Sequence, residues 1–393
     1  MTPPARVQAA IELLDLIIAA AREGGAAADT IIARWFAARR YAGSKDRRAV
    51  RGLVYDAIRL CGELPRGGRA AMLAVAARDP TVAAAFDGSG YGPPPINPNE
   101  KAAEPGIAPA WLAAELAASG LDADEQAALL DRAPLDIRVN RLLATREDVA
   151  IDGAEPLAFA PEALRLPADT AVEKHAAFET GLIDIQDAGS QLVALACGVR
   201  PGMRVVDLCA GAGGKTLALA AQMANDGDLL ATDTDRARLQ RLPPRAERAG
   251  VTIARTLLLN PGREEEMLAD EYARADVVLV DAPCSGTGTW RRNPEARWRL
   301  SPARLTRLVE TQARLLDLAA ALVRPGGCVV HVVCSLLDAE GADQASAFLD
   351  RHPGWQPQTL ALPTGDRRGI GVRLTPASHS TDGFFVAMLR SPW

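Results

Sequence analysis

Two cysteines in this sequence each follow an apolar run that ends in a polar turn. The first lies in Val280-Asp281-Ala282-Pro283-Cys284-Ser285-Gly286-Thr287-Gly288, and the second, 50 residues later, in Val332-Val333-Cys334-Ser335. An isolated free cysteine is usually a small core hydrophobe. These two stand among Gly, Ser, Thr and Asp, which suits thiols that attack a ligand rather than fill a core. A glycine-rich constellation precedes them. Residues 204–208 read as a short strand that runs into Cys209-Ala210-Gly211-Ala212-Gly213-Gly214-Lys215-Thr216 and then into a helical stretch over 217–222. Glycines between a strand and a helix let a ligand approach the main chain and the helix N-terminus closely. A Walker phosphate loop requires a glycine at position 209, which Cys209 occupies, so that reading fails. Asp233 ends the next apolar run, 22 residues beyond Gly211, near the spacing of a carboxylate that binds ribose hydroxyls. Helix capping is the other role open to it. A nucleoside-containing cofactor fits, and the spacing alone admits both a nicotinamide dinucleotide and S-adenosylmethionine.

These residues need a sheet to bring them together. After Gly202 short apolar runs at 204–208, 228–232, 276–280 and 328–333 alternate with helix-length segments, the signature of βαβ units, and a last strand falls at 383–389. In a parallel sheet the C-terminal strand ends face one crevice, so both thiols converge there. Upstream, Val7, Ile11, Leu14, Ile17 and Ile18 recur at helical spacing, and Ile31, Trp35, Phe36, Val50, Leu53, Val54 and Ile58 continue it. The expected organisation is a helical domain over 1–90, a Gly/Pro linker over 91–106, a small α+β unit over 107–180 and an α/β, Rossmann-like catalytic domain over 181–393.

Composition narrows the class. The 393 residues carry 44 Lys plus Arg and 49 Asp plus Glu, a net charge of −5, so any nucleic-acid site must be a local basic patch. Two patches qualify: Arg39, Arg40, Lys45, Arg47, Arg48 and Arg51 around one turn, and seven arginines between Arg291 and Arg314 with Trp290 and Trp298 interleaved. Within the second, Arg291, Arg292, Arg297 and Trp298 are the candidate RNA-binding residues, against the plainer reading of a solvated amphipathic helix. None of the six cysteines forms a C-x-x-C pair, so no metal is expected. Glu12 and Asp15 interrupt the N-terminal apolar stretch, which excludes a signal peptide or membrane span there and points to the cytoplasm.

Taken together, DLCAGAGGKT at 207–216, DAPCSGTG at 281–288, RRNPEARW at 291–298 and VVCS at 332–335 resemble the Fmu/Sun family of RNA (cytosine-5) methyltransferases. Gln186-Asp187-Ala-Gly-Ser190, Arg138-Val-Asn140, Glu310-Thr-Gln312 and Asp382-Gly-Phe-Phe385 extend the resemblance over roughly 105–393. The helical segment is similar to a shortened NusB-like RNA-binding domain of the bacterial small-subunit ribosomal RNA members. The resemblance implies S-adenosylmethionine as cofactor, held by Cys209, Ala210, Gly211, Ala212, Gly213, Gly214, Lys215, Asp233, Asn260 and Asp281. Asn260 stands where the family has an Asp, and Ala212 where it has a proline. The resemblance further implies Cys334 as the nucleophile at cytosine C6, Cys284 as the residue that resolves the adduct, and Asp281 and Lys215 as their catalytic partners. In DNA cytosine-5 methyltransferases the cysteine of the Pro-Cys motif is itself the nucleophile, so the reversed assignment competes. The implied partner is ribosomal RNA, free or in a pre-ribosomal particle, bound by a monomer. The competing functions are a transfer-RNA methyltransferase, an assembly factor that binds cofactor without turnover, and a nicotinamide-dependent oxidoreductase.

Overall fold

Thr2 opens the first helix, α1 (Pro3–Glu23): its hydroxyl accepts from Ala5 N, prolines suit the first turn, and Gly24 closes it in the left-handed region at φ 73°. With α2 (Ala28–Ala37), α3 (Ser44–Leu60) and α4 (Gly68–Ala76), it forms a bundle. Val7, Ile11, Leu14 and Ile18 of α1 pack with Ile32, Phe36, Val50, Val54, Ile58 and Met72 in one core. The computed structural model describes residues 1–168 and 170–393, and the bundle belongs to a unit made of Met1–Asp131 and Thr289–Ser301.

That division departs from the boundaries expected at 91–106. The Gly/Pro stretch is not a free linker but folds back on the bundle. Arg69 donates to Pro94 O and Pro95 O at 3.1 Å each, Ala103 N to Ala70 O at 2.9 Å, and Gly106 N to Leu60 O at 3.0 Å. The helices Ala110–Ala118 and Ala123–Ala128, expected in the small α+β unit, also belong to the helical unit, and Glu63 accepts from the first helical N–H, that of Ala110, at 2.8 Å.

The second unit comprises Arg132–Gly288 and Pro302–Trp393 and holds both sheets. Four strands, β1 (Leu135–Val139), β2 (Glu155–Pro156), β3 (Ala163–Leu166) and β4 (Ile183–Ile185), pair antiparallel in the order β2-β3-β1-β4. The large sheet contains β5 (Arg204–Asp207), β6 (Asp228–Asp233), β7 (Ala254–Leu258), β8 (Ala275–Asp281), β9 (Val323–Val333), β10 (Gln356–Gln358), β11 (Asp366–Arg368), β12 (Gly371–Leu374) and β13 (Phe384–Arg390). Its order is β11-β12-β13-β9-β8-β5-β6-β7, with β10 also on β13. The pairs among β5 to β9 are parallel and those of β13 antiparallel, so the fold is a Rossmann-like α/β sheet with an antiparallel edge. From β5 the chain moves outward through β6 and β7, then returns to β8 on the other side. The sheet therefore changes direction between β5 and β8, where open α/β sheets bind ligands beyond their strand ends.

Candidate active site

The glycine-rich turn leaves β5 at this switch point and enters the helix Gly214–Gln222. Gly211 and Gly213 hold φ values of 56° and 84°, in the region that favours glycine, and a Cβ on Gly213 would collide with Leu242. The turn is tied down on several sides. Gly211 N donates to Asp233 Oδ2 at 2.8 Å, and Asp235 N to Asp233 Oδ1 at 2.7 Å. Arg245 donates to Ala212 O at 2.5 Å and to Asp184 on β4 at 2.5 Å. Gln186 donates to Gly214 O at 3.3 Å and accepts from buried Arg138 at 2.7 Å. Arg138 Nε serves the turn through Gln186, whereas Asn140 caps main-chain carbonyls of Gly181 and Ala249. Asn260 is exposed just past β7, two residues beyond Leu258, which pairs in register with Asp233.

Lys215 and Asp281 form an ion pair at 2.6 Å, with Lys215 Nζ 5.5 Å from the Phe384 ring centre. Desolvation works against the ammonium, yet Asp281, Cys334 and Asp207 outweigh it and raise its pKa, so Lys215 stays charged. Below them Asp207 is fully buried, accepting from the Thr216 hydroxyl at 2.6 Å through Oδ2, while Oδ1 has no partner. Burial, with the neighbouring Asp281 and Asp233 charges, pushes its carboxyl up to about 7. Burial likewise raises the Cys209 thiol well above its ordinary value, so Cys209 lines the turn as a neutral group.

The parallel register explains why the thiols meet. Asp281 of β8 lies level with Val332 of β9, so Cys284 and Cys334, three and two residues further on, leave adjoining strands together. Their sulfurs stand 3.4 Å apart. The hydrogen bond with Cys334, burial, and the charges of Cys334 and Glu340 raise the Cys284 pKa well above its ordinary value. That direction favours the neutral Cys284 thiol, and either sulfur can be the donor in the contact with the other. Ser285 Oγ stands 3.0 Å from Ser335 Oγ, which is 3.1 Å from Thr287 Oγ1. His331 is fully buried and donates from Nε2 to Glu340 O at 2.9 Å, with burial lowering its pKa to about 4.

Three residues at this site escaped the sequence reading. Arg238 lies over Gly211, its Nη2 2.5 Å from where a Cβ would sit. Arg245 braces the turn, and buried Glu340 braces the thiol loops. Arg238 is five residues past Asp233 and Glu340 six past Cys334, so proximity in sequence was the available signal.

The first part of the basic segment after Cys284 is not the exposed basic surface that its composition suggests. Arg291, Arg297 and Trp298 are buried, with exposures of 7%, 0% and 5%, and Arg292 is partly buried. Arg297 donates to Ile58 O at 2.6 Å, Cys61 O at 2.8 Å and Arg59 O at 3.2 Å, and Trp298 Nε1 to Cys61 O at 3.1 Å. Arg299 reaches Ala20 O, Gly25 O and Ala26 O, and Glu295 accepts from Ala28 N at 2.9 Å. Cations thus sit at the C-terminal ends of α3 and α1 and a carboxylate at the N-terminal end of α2, each opposite in sign to the helix dipole. Arg297 and Trp298 are engaged in holding the helical unit together.

The profile of the 16S rRNA methyltransferase RsmB/F family matches residues 194–390. The probable ribosomal RNA small subunit methyltransferase B of Synechocystis sp. is 35% identical over 271 residues, 65% of this chain and 60% of that protein. The chain spans about 60% of the length of the curated relatives it matches. The crystal structure of PH0851 superposes with a TM-score of 0.77 at 26% identity over 99% of both chains. NSun6 from Pyrococcus horikoshii, solved with SFG, shares the fold with a TM-score of 0.60 at 18% identity, covering 67% of this chain and 92% of its own. A glycine-rich turn at the sheet's switch point, paired thiols on adjoining strand ends and a family profile spanning half the sequence lead to one assignment: the chain belongs to the 16S rRNA methyltransferase RsmB/F family.

Proposed function

We propose that this protein methylates cytosine at C5 in RNA, with small-subunit ribosomal RNA as substrate, S-adenosylmethionine as cofactor and one chain as the working unit. The observation that carries the reading is the pair Cys284 and Cys334, 3.4 Å apart beside the glycine-rich turn. One chain supplies both thiols, the turn and Asp233, so the chemistry needs no second subunit.

The residues fit the cofactor. Gly211 and Gly213 give the turn at the switch point its left-handed backbone, Asp233 ends the neighbouring strand with a carboxylate whose oxygens, each accepting one main-chain N–H, keep lone pairs for ribose hydroxyls, and Asn260 offers an amide to adenine. When bound, S-adenosylmethionine supplies an electrophilic methyl group. The chain's residues must make C5 nucleophilic. Cys334 adds as thiolate to C6, which moves the ring electrons toward C5, and Asp281, oriented by Lys215, favours the protonated ring of the adduct. Cys284, 3.4 Å from the sulfur that carries the ring, is placed to act next. Cys284 then gives its own proton to solvent and, as thiolate, takes the C5 proton; the C5–H electron pair forms the C5=C6 bond, and the C6–S bond breaks to free Cys334 as thiolate. A duplex buries C6, so the target is single-stranded, looped or flipped. On the helical unit exposed Tyr41 stands beside exposed Arg40, Lys45 and Arg48, a combination suited to an RNA strand.

Labelled methyl transfer to RNA from cells lacking the protein, read by bisulfite sequencing, tests this. Wild type should methylate a cytosine, Cys334→Ser should form neither product nor adduct, and Cys284→Ser should trap a gel-shifted protein–RNA adduct. An adduct with Cys334→Ser alone reverses the thiol roles, and no methylation with intact cofactor binding refutes the activity.

A further inference from the structure

Glu340 has no exposed surface, and the chemistry above makes no use of it. Its carboxylate is nonetheless fully engaged. Oε1 accepts from Ser285 N at 2.8 Å and from Gln312 Nε2 at 3.0 Å, and Oε2 accepts from the Ser285 hydroxyl. The same Gln312 amide donates to Pro283 O at 3.0 Å. Both neighbours of Cys284 in the chain are thus fastened to one carboxylate, Ser285 directly and Pro283 through Gln312. The arrangement extends to the other thiol: the Ser285 hydroxyl meets that of Ser335, the residue after Cys334, and Leu337 N donates to Ser335 Oγ at 3.2 Å. A buried carboxylate is costly unless its acceptor sites are filled. Here donors from the Cys284 turn and from Gln312 fill them.

We propose that Glu340 is a positioning residue for adduct resolution, anchoring the Pro283–Ser285 turn so that Cys284 faces the C6 adduct formed by Cys334. The inference rests on the thiol roles given above. Glu340 has a second effect, because its negative charge is among the causes that keep the proton on Cys284. Anchoring and charge separate experimentally. Glu340→Ala removes both. Glu340→Gln keeps the shape and an acceptor for Ser285 N, and removes the charge.

The test uses the full chain, a small-subunit ribosomal RNA transcript and S-adenosylmethionine, following gel-shifted adduct and methylated product together, with Cys284→Ser as reference. Glu340→Ala should lose product by at least about tenfold while adduct accumulates as it does in Cys284→Ser. Glu340→Gln, which keeps an acceptor for Ser285 N, should rescue resolution: product forms and adduct does not accumulate as in Glu340→Ala. No adduct with Cys284→Ser overturns the thiol roles and this inference with them. An adduct with Cys284→Ser, but equal losses of adduct and product in Glu340→Ala or adduct accumulation in Glu340→Gln equal to that in Glu340→Ala, overturns the inference alone.

Discussion

Replacing Arg297 by alanine separates two readings of one arginine. The sequence places it in a basic stretch suited to RNA, whereas the structure buries it against the end of α3. Three carbonyls, of Ile58, Arg59 and Cys61, accept from the same nitrogen, Nη2. That nitrogen carries two hydrogens, so about two full hydrogen bonds are at stake. Burial lowers the pKa of the guanidinium to about 10, which leaves it charged at neutral pH. Hydrogen bonds from a charged donor contribute roughly 1.5–3 kcal/mol each, and orphaned buried acceptors cost a similar amount, so Arg297→Ala should destabilise the helical unit by about 3–5 kcal/mol. For a unit of this size the melting temperature falls by roughly 10–15 °C. Calorimetry of the full chain, with cofactor affinity as a control for the second unit, measures this. Unchanged melting, together with weaker RNA binding and a salt dependence reduced by about one unit of slope, would refute the buried-anchor reasoning.

Two further outcomes follow from groups already described. The Asp207 carboxyl titrates near 7 when folded and near 4 when unfolded, so the folded chain holds a proton that the unfolded chain has shed. The stability this contributes is present in full below about pH 4 and lost as pH rises through 7, a fall on the order of a few kcal/mol. Urea titrations from pH 4 to 8 should show that slope in wild type and lose it in Asp207→Asn; parallel curves for the two proteins would contradict the assignment. The triple variant Arg40→Gln, Lys45→Gln and Arg48→Gln should weaken RNA binding and lower the logarithmic salt slope by about two, as expected for three lost contacts to a single strand. An unchanged slope places the RNA elsewhere.

What could be read from the sequence tracks how local its physical cause is. The ends of β5, β6, β8, β9 and β13 were legible because each is a short apolar run closed by polar residues, and the thiols followed from one rule about parallel strand ends. β7 was not legible: at the edge of the sheet it pairs with β6, its residues are exposed or half-buried, and Arg255 and Thr256 interrupt its apolar residues. Arg297 illustrates the harder case. Alternating Arg, Trp and Glu describe an exposed amphipathic surface and a plug for three helix ends equally well, and the difference lies in partners more than 200 residues away. Glu340 shares this limit, since an acid beside a cysteine carries no mark of which main-chain donors will surround it.

Residues 289–301 also impose an order on biosynthesis. Residues 1–131 of the helical unit leave the ribosome before the side chains that cap three of its helices, which are made after residue 288. At about 5–20 residues per second, roughly 10–30 s separate residue 131 from the arrival of those caps. Through that interval α1, α2 and α3 have helix ends exposed to solvent or to chaperones, and the unit reaches its final stability only when the loop following Cys284 has been translated. A fragment ending at residue 131 lacks those caps permanently, so the helical unit is not a detachable module, and genes that recombine at the Gly/Pro stretch would inherit an unfinished bundle.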